Sequence, residues 1–130
     1  MRIGSADLHA VVEAMPEVAE AMVLGVELPE ARYWMPMFLV LADGVSLSDG
    51  LVAEIRRQLR EKASPRHVPD SFYAVEGLPH TRTGKKLEVP LKRILQDATP
   101  SDVLSLDAVD RPELIDFYVD LARQHADGNS

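Results

Sequence analysis

Two short apolar runs, Val18–Val26 and Trp34–Ala42, constrain the fold of this chain more than any other feature. Both are apolar and β-branched enough to predict strands. The loop Leu28-Pro29-Glu30 separates them, and Gly25 lies near the end of the first. Pro36 is expected near the start of the second strand or on an edge, where a missing N–H does no harm. On either side the apolar period changes from runs to spacings of three and four. Leu8, Val11, Val12 and Met15 mark one face of a helix that Ser5 can cap, that Asp7 favours in its first turn and that Pro16 stops. Asp43-Gly44 is a turn signal. Ser48 can cap a second helix with Leu51, Val52, Ile55 and Leu59 on its buried side, ended by Ser64-Pro65.

Further along, Phe72–Val75 predicts a short strand and Leu78–Lys86 a polar loop. Pro90 suits the first turn of another helix, with Leu91, Ile94 and Leu95 as its apolar face. Thr99–Asp102 reads as a break. Asp110, Pro112 and Glu113 open a last helix through Leu114, Phe117, Tyr118 and Leu121. The order is helix, strand, strand, helix, strand, loop, helix, helix. It predicts an α+β fold, a small and mainly antiparallel sheet flanked by helices.

Charge and composition narrow the function. The chain has 130 residues, enough for one domain with its own core. Asp plus Glu outnumber Lys plus Arg by 21 to 14, a formal charge of -7. That argues against a general nucleic-acid binder but leaves room for a local basic patch. Without cysteine there is no disulfide, thiolate catalysis or Cys-based zinc site. His9, His67, His80 and His125 show no metal-ligand spacing, and His67, between Pro65 and Pro69, reads as structural. No apolar run approaches the roughly 20 residues of a membrane span. Asp7, Glu13 and Glu17 interrupt the start where a signal peptide would lie, so a cytoplasmic protein is expected. The amphipathic pattern begins almost at once after Arg2-Ile3-Gly4-Ser5, which hints at a fragment.

Two segments concentrate cations. The loop Leu78-Pro79-His80-Thr81-Arg82-Thr83-Gly84-Lys85-Lys86 brings cations, hydroxyls and a flexible glycine to one turn. Such a turn can offer backbone N–H groups and ammonium charge to a phosphate. It is no P-loop: Pro79 stands where that motif needs glycine, and Lys86 where it needs Ser or Thr. From the residues alone, a solvated basic loop is the plainer reading. Arg56 and Arg60 share a helix face at i,i+4 spacing, with Arg57 beside them and Glu61 four residues after Arg57. They could bind a phosphate, but by spacing alone a solvated helix face is the plainer reading.

The loop resembles the "LPKTRSGK" signature of the acyl-adenylate-forming enzymes, which include acyl-CoA synthetases, luciferases and peptide-synthetase adenylation domains. Arg2-Ile3-Gly4-Ser5-Ala6-Asp7-Leu8 resembles their "R-[IL]-G-x-x-E-[IL]" segment after the interdomain hinge, with Asp7 for the usual Glu. Val18–Gly25 is similar to their "V-x-E-A-A-V-V-G" strand. All three fall in the expected order, over about residues 2 to 97. Ser64-Pro65-Arg66-His67-Val68-Pro69 and Thr83–Lys92, with the helix after residue 110, resemble the acetoacetyl-CoA synthetase branch of the family in particular.

The resemblance implies a small domain that rotates against a large N-terminal adenylation domain, one orientation making the acyl-adenylate and the other the thioester. It divides the chain into a C-terminal AMP-binding-enzyme domain at residues 1–98 and a helical extension and tail at 99–130. It implies Lys85 as the adenylation lysine, with Arg2, Thr83 and Gly84 near the ATP/AMP phosphates. It places Gly4, Arg56 and Arg60 toward CoA. ATP and CoA would be substrates, with Mg2+ accompanying ATP and held mainly by the N-terminal domain. The hinge residue would precede Met1. The acid pocket, the P-loop-like ATP segment and the adenine site would lie outside this chain, which is therefore expected to be inactive alone. Another short-chain acyl-CoA synthetase, or a non-catalytic binding module reusing the fold, are the alternatives.

Overall fold

The computed structural model describes the backbone of residues 5–28, 32–63, 68–96 and 100–128. Side chains are described within these ranges except at 5–6, 32, 100–101, 106 and 125–128. The chain forms two compact units, Met1–Gly25 with Trp34–Leu78, and Val26–Tyr33 with Pro79–Ser130.

The first unit is built on a three-stranded sheet in the order β1 (Val18–Val23), β4 (Pro36–Leu41), β5 (Ser71–Ala74). β1 pairs antiparallel with β4, bringing Ala21 opposite Leu39, Met22 opposite Phe38 and Val23 opposite Met37. β5 pairs with β4 in parallel. A parallel neighbour needs a long crossover, and α2 (Asp49–Lys62) supplies it. Strand alternation puts Ala21, Val23, Met37 and Leu39 on one face. There they join Leu8, Val12 and Met15 of α1 (Ser5–Glu13) and the i,i+4 stripe Leu51, Ile55, Leu59 of α2 in one buried cluster. Asp70 fixes the start of β5: its carboxylate accepts the Met35 N–H at 2.9 Å and its own N–H donates to the Met35 carbonyl at 2.9 Å.

The expected elements are present with three differences. The run Val18–Val26 is not one strand: β1 ends at Val23, and β2 (Val26–Leu28) begins beyond Gly25 and pairs with β3 (Arg32–Trp34). The run from Trp34 divides at Met35, where the main chain is committed to Asp70 rather than to a strand partner. The break expected at Thr99–Asp102 contains a short helix, α4 (Pro100–Val103). Ser48 caps α2 as read, its Oγ accepting the Leu51 N–H at 3.2 Å. Gly44 makes its turn at φ 79°, a conformation that a side chain resists. The stop at Ser64-Pro65 and the reading of His67 lie outside the described residues.

β1 is an edge strand, and its outward N–H groups are not left bare. Glu13 Oε2 accepts from the Ala21 N–H and buried His9 Nε2 from the Val23 N–H, each at 2.9 Å. One turn of α1 thus closes the edge with two side chains four residues apart. His9→Ala should lower the chain's stability by about 1–3 kcal/mol, because a buried N–H loses its acceptor. A urea melt checks this through its midpoint; an unchanged midpoint would mean that water takes the imidazole's place.

In the second unit α3 (Glu88–Leu95) packs against α5 (Ile115–Gly128). Leu91, Ile94 and Leu95 are buried on one, and Ile115, Tyr118 and Leu121 on the other. Gln96 Nε2 donates to the Glu27 carbonyl at 2.8 Å, and Lys92 lies 3.6 Å from the Glu27 carboxylate, tying the end of α3 to β2. Two single 3-10 turns, Leu106–Ala108 and Pro112–Leu114, lead into α5. No helix among the described residues is long and apolar enough to cross a membrane.

Candidate functional site

The loop singled out in the sequence is a tight, doubly held turn. Leu78 and Pro79 are buried at its base. His80 and Lys86 face each other as an antiparallel bridge. The Thr81 N–H donates to the Lys85 carbonyl at 2.8 Å, and the Gly84 N–H to the Thr81 carbonyl at 2.9 Å. Thr81 also serves the turn with its side chain. Its Oγ1 accepts the Lys85 N–H at 3.1 Å and lies 2.9 Å from Thr83 Oγ1. Gly84 turns the chain at φ 91°, where a Cβ would meet no atom within 4 Å. Glycine is therefore required there by backbone conformation rather than by space. Lys85 follows, its backbone fixed at both N–H and carbonyl and its side chain exposed. No ion pair engages the Lys85 ammonium among the described residues. The turn thus holds a mobile point charge on a fixed base.

The outer side of this turn is held by residues far along the chain. Thr81 bridges Val109. The Asp110 N–H donates to the His80 carbonyl at 2.9 Å, and Asp110 Oδ1 accepts the His80 N–H at 2.8 Å. Asp110 Oδ2 lies 3.4 Å from His80 Nδ1. Arg82 Nε donates to the Asp107 carbonyl at 2.6 Å. Partial burial pushes the Asp110 carboxyl up, but the His80 N–H, the His80 charge and the Arg111 N–H outweigh it and hold the carboxyl below its ordinary range.

The arginines of α2, in the first unit, differ sharply from one another. Arg57 is consumed within its own helix. It pairs with Glu54 through Nη2 and through Nε at 3.0 Å, and with Glu61 through Nη1 at 2.7 Å. Its hydrogen bonds, with that of Gln58, hold the Glu54 carboxyl down to about 2. Arg56 lies over the Phe72 ring, 5.1 Å from its centroid. Arg60 is exposed, and no ion pair engages it among the described residues. The residue pattern identified Glu61 as a partner for Arg57 but missed Glu54 and Phe72. Arg2 and Gly4 lie outside the described residues. From the sequence Asp110 reads only as part of the start of the last helix and Asp107 carries no role; their partners at the turn are 30 and 25 residues away.

Residues 7–85 match the AMP-binding enzyme C-terminal domain, over more than half of the chain and ending on Lys85. The chain belongs to that family. Membership fits the α+β architecture, and the Lys85 turn lies at the end of the matched residues. Acetoacetyl-CoA synthetase of Rhizobium meliloti is 36% identical over 121 residues, 93% of this chain and 18% of its own length. The enzyme of the same name from Caenorhabditis elegans is 35% identical over 92% of this chain and 17% of its own. Among solved structures, acetoacetyl-CoA synthetase from Streptomyces lividans superposes with a TM-score of 0.88 at 45% identity, over 96% of this chain and 19% of that one. An acyl-CoA synthetase from Brucella canis superposes with a TM-score of 0.59 at 30% identity, over 66% of this chain and 16% of that one. The chain thus spans under a fifth of the length of the curated relatives it matches.

Proposed function

We propose that this chain is the mobile C-terminal domain of an ATP-dependent acid–CoA ligase, acetoacetate–CoA ligase, residues 1–98 forming that domain and 99–130 a helical extension. The observation that carries the reading is coverage. The match to the Streptomyces lividans acetoacetyl-CoA synthetase runs over 96% of the chain and so takes in the extension, whereas the Brucella canis acyl-CoA synthetase matches 66%. The partner of the domain is a large N-terminal adenylation domain, and the setting is cytoplasmic.

In the proposed reaction an acetoacetate oxygen attacks the α-phosphorus of ATP and pyrophosphate leaves. The CoA sulfur then attacks the acyl carbonyl of the adenylate, and AMP leaves with the electron pair of the broken acyl–oxygen bond. The first step brings two anions together. The Lys85 ammonium offsets their repulsion and follows the charge that builds in the transition state. Thr83 offers its hydroxyl to the ATP/AMP phosphates, Gly84 gives the turn the backbone conformation that brings that hydroxyl and Lys85 to them, and Arg2 serves them as well. Gly4, Arg56 and Arg60 serve CoA. Mg2+ arrives with ATP. No group of three or more His, Asp or Glu able to hold it exists among the described residues.

The complete protein, given ATP, CoA and a panel of short-chain acids, should release AMP and acyl-CoA with acetoacetate as the preferred acid. Preference for another acid would move the protein to a different short-chain acyl-CoA synthetase. No AMP with any acid would make the chain a non-catalytic module on this fold.

A further inference from the structure

We infer that the segment Asp107–Asp110 is a positioning element for Lys85, with the Asp110 carboxylate as its latch. The inference rests on the reading of Lys85 as the adenylation lysine. Its ground is a continuous line of hydrogen bonds. Asp110 holds His80 at both main-chain groups, through its own N–H at 2.9 Å and its Oδ1 at 2.8 Å. Val109 bridges Thr81, the next residue. Thr81 in turn holds Lys85 at both main-chain groups, through its N–H at 2.8 Å and its Oγ1 at 3.1 Å. The 107–110 segment is therefore the outer line of a three-line patch whose inner line carries Lys85. Arg82, at the far side of the turn, is tied to the Asp107 carbonyl.

The physical consequence is pre-organisation. A turn of polar, exposed residues has little buried surface to hold it. Lys85 adds a long flexible stem, so the base of that stem must be fixed for the ammonium to meet the α-phosphate in register. Asp110 touches no reacting atom in this scheme; it acts through His80 and Thr81. The main-chain pairing also explains why the latch left no sequence motif: a peptide group presents the same donor and acceptor whatever its side chain.

The test uses the complete enzyme. Asp110→Ala should lower the adenylation rate, read by pyrophosphate exchange, by about 10- to 100-fold through kcat rather than KM for ATP or acid. It should leave thioester synthesis from ready-made acyl-adenylate close to the wild-type rate, because an interaction used only in the adenylation transition state affects only that step. Asp110→Asn keeps an oxygen that can accept the His80 N–H and should recover most of the rate. Introduced into Lys85→Ala, Asp110→Ala should cause no further loss. An unchanged exchange rate in Asp110→Ala would overturn the inference, and so would equal losses in both half-reactions, which would mark Asp110 as a general stabiliser. Lys85→Ala measured in parallel separates the two claims: if it keeps full exchange, the reading of Lys85 itself has failed.

Discussion

Replacing Lys85 by alanine in the complete enzyme is expected to cut acid adenylation on the order of 10³-fold, the scale at which a transition-state cation matters in phosphoryl chemistry. Thioester formation from ready-made adenylate should stay near the wild-type rate. Carboxylate and α-phosphate repel, and the repulsion is largest as their oxygen and phosphorus approach. A single ammonium placed between them is attracted more strongly to the transition state than to either reactant, so its loss falls on kcat. The turn makes Lys85 suited to this. Its backbone is pinned on both sides while its side chain is exposed, with no carboxylate pairing it among the described residues. In the proposed scheme the second half-reaction uses another face of the domain, so the loop is then away from the chemistry. Lys85→Arg keeps the charge but replaces a compact cation by a planar fork, and should recover the rate only in part. Acetylation of Lys85 removes the charge and should reproduce the alanine result. Equal losses in both half-reactions would remove the basis for an orientation-specific lysine.

Arg60→Ala should raise the apparent KM for CoA by about 10- to 150-fold, the equivalent of roughly 1.5–3 kcal/mol for one charge-assisted contact, and leave adenylation nearly unchanged. The structure supplies the control. Arg57 is one turn away with the same side chain, but Glu54 and Glu61 already engage it. Arg57→Ala should therefore move the KM for CoA little, although it frees two carboxylates near the site. Arg56 stands between the two cases, since its guanidinium lies over the Phe72 ring. Steady-state kinetics with varied CoA decides among the three positions. If Arg60→Ala leaves the KM unchanged, the arginines form only a solvated helix face.

Local features were legible in the sequence because local rules wrote them. The Ser48 cap, the stripe Leu51, Ile55, Leu59 and the glycine-dependent turns at Gly44 and Gly84 follow from backbone sterics and periodicity within a few residues. The division of Val18–Val26 was not legible, because apolar composition continues through Leu24 while the pairing partner changes. Nor was the parallel placement of β5, which depends on what Asp70 meets 35 residues earlier in the chain. At the candidate site, Lys85 and Gly84 stand out by motif. Glu54, three residues before Arg57, was within reach of the same helical spacing that picked out Glu61, whereas the Arg56 contact with Phe72 joins residues 16 apart in different elements and required a structure. Asp110 was hidden most completely, because two of its contacts to His80 are made with main-chain groups.

The central claim is that one lysine of this turn, and not its general basicity, drives adenylation. Lys86 adjoins Lys85 and carries the same charge, but it sits at the bridge to His80 and is partly buried. The most direct measurement is pyrophosphate exchange in the complete enzyme with acetoacetate, comparing Lys85→Ala with Lys86→Ala. The expected result is exchange close to wild type for Lys86→Ala and almost none for Lys85→Ala. Equal loss in the two variants, or full exchange in Lys85→Ala, would contradict it.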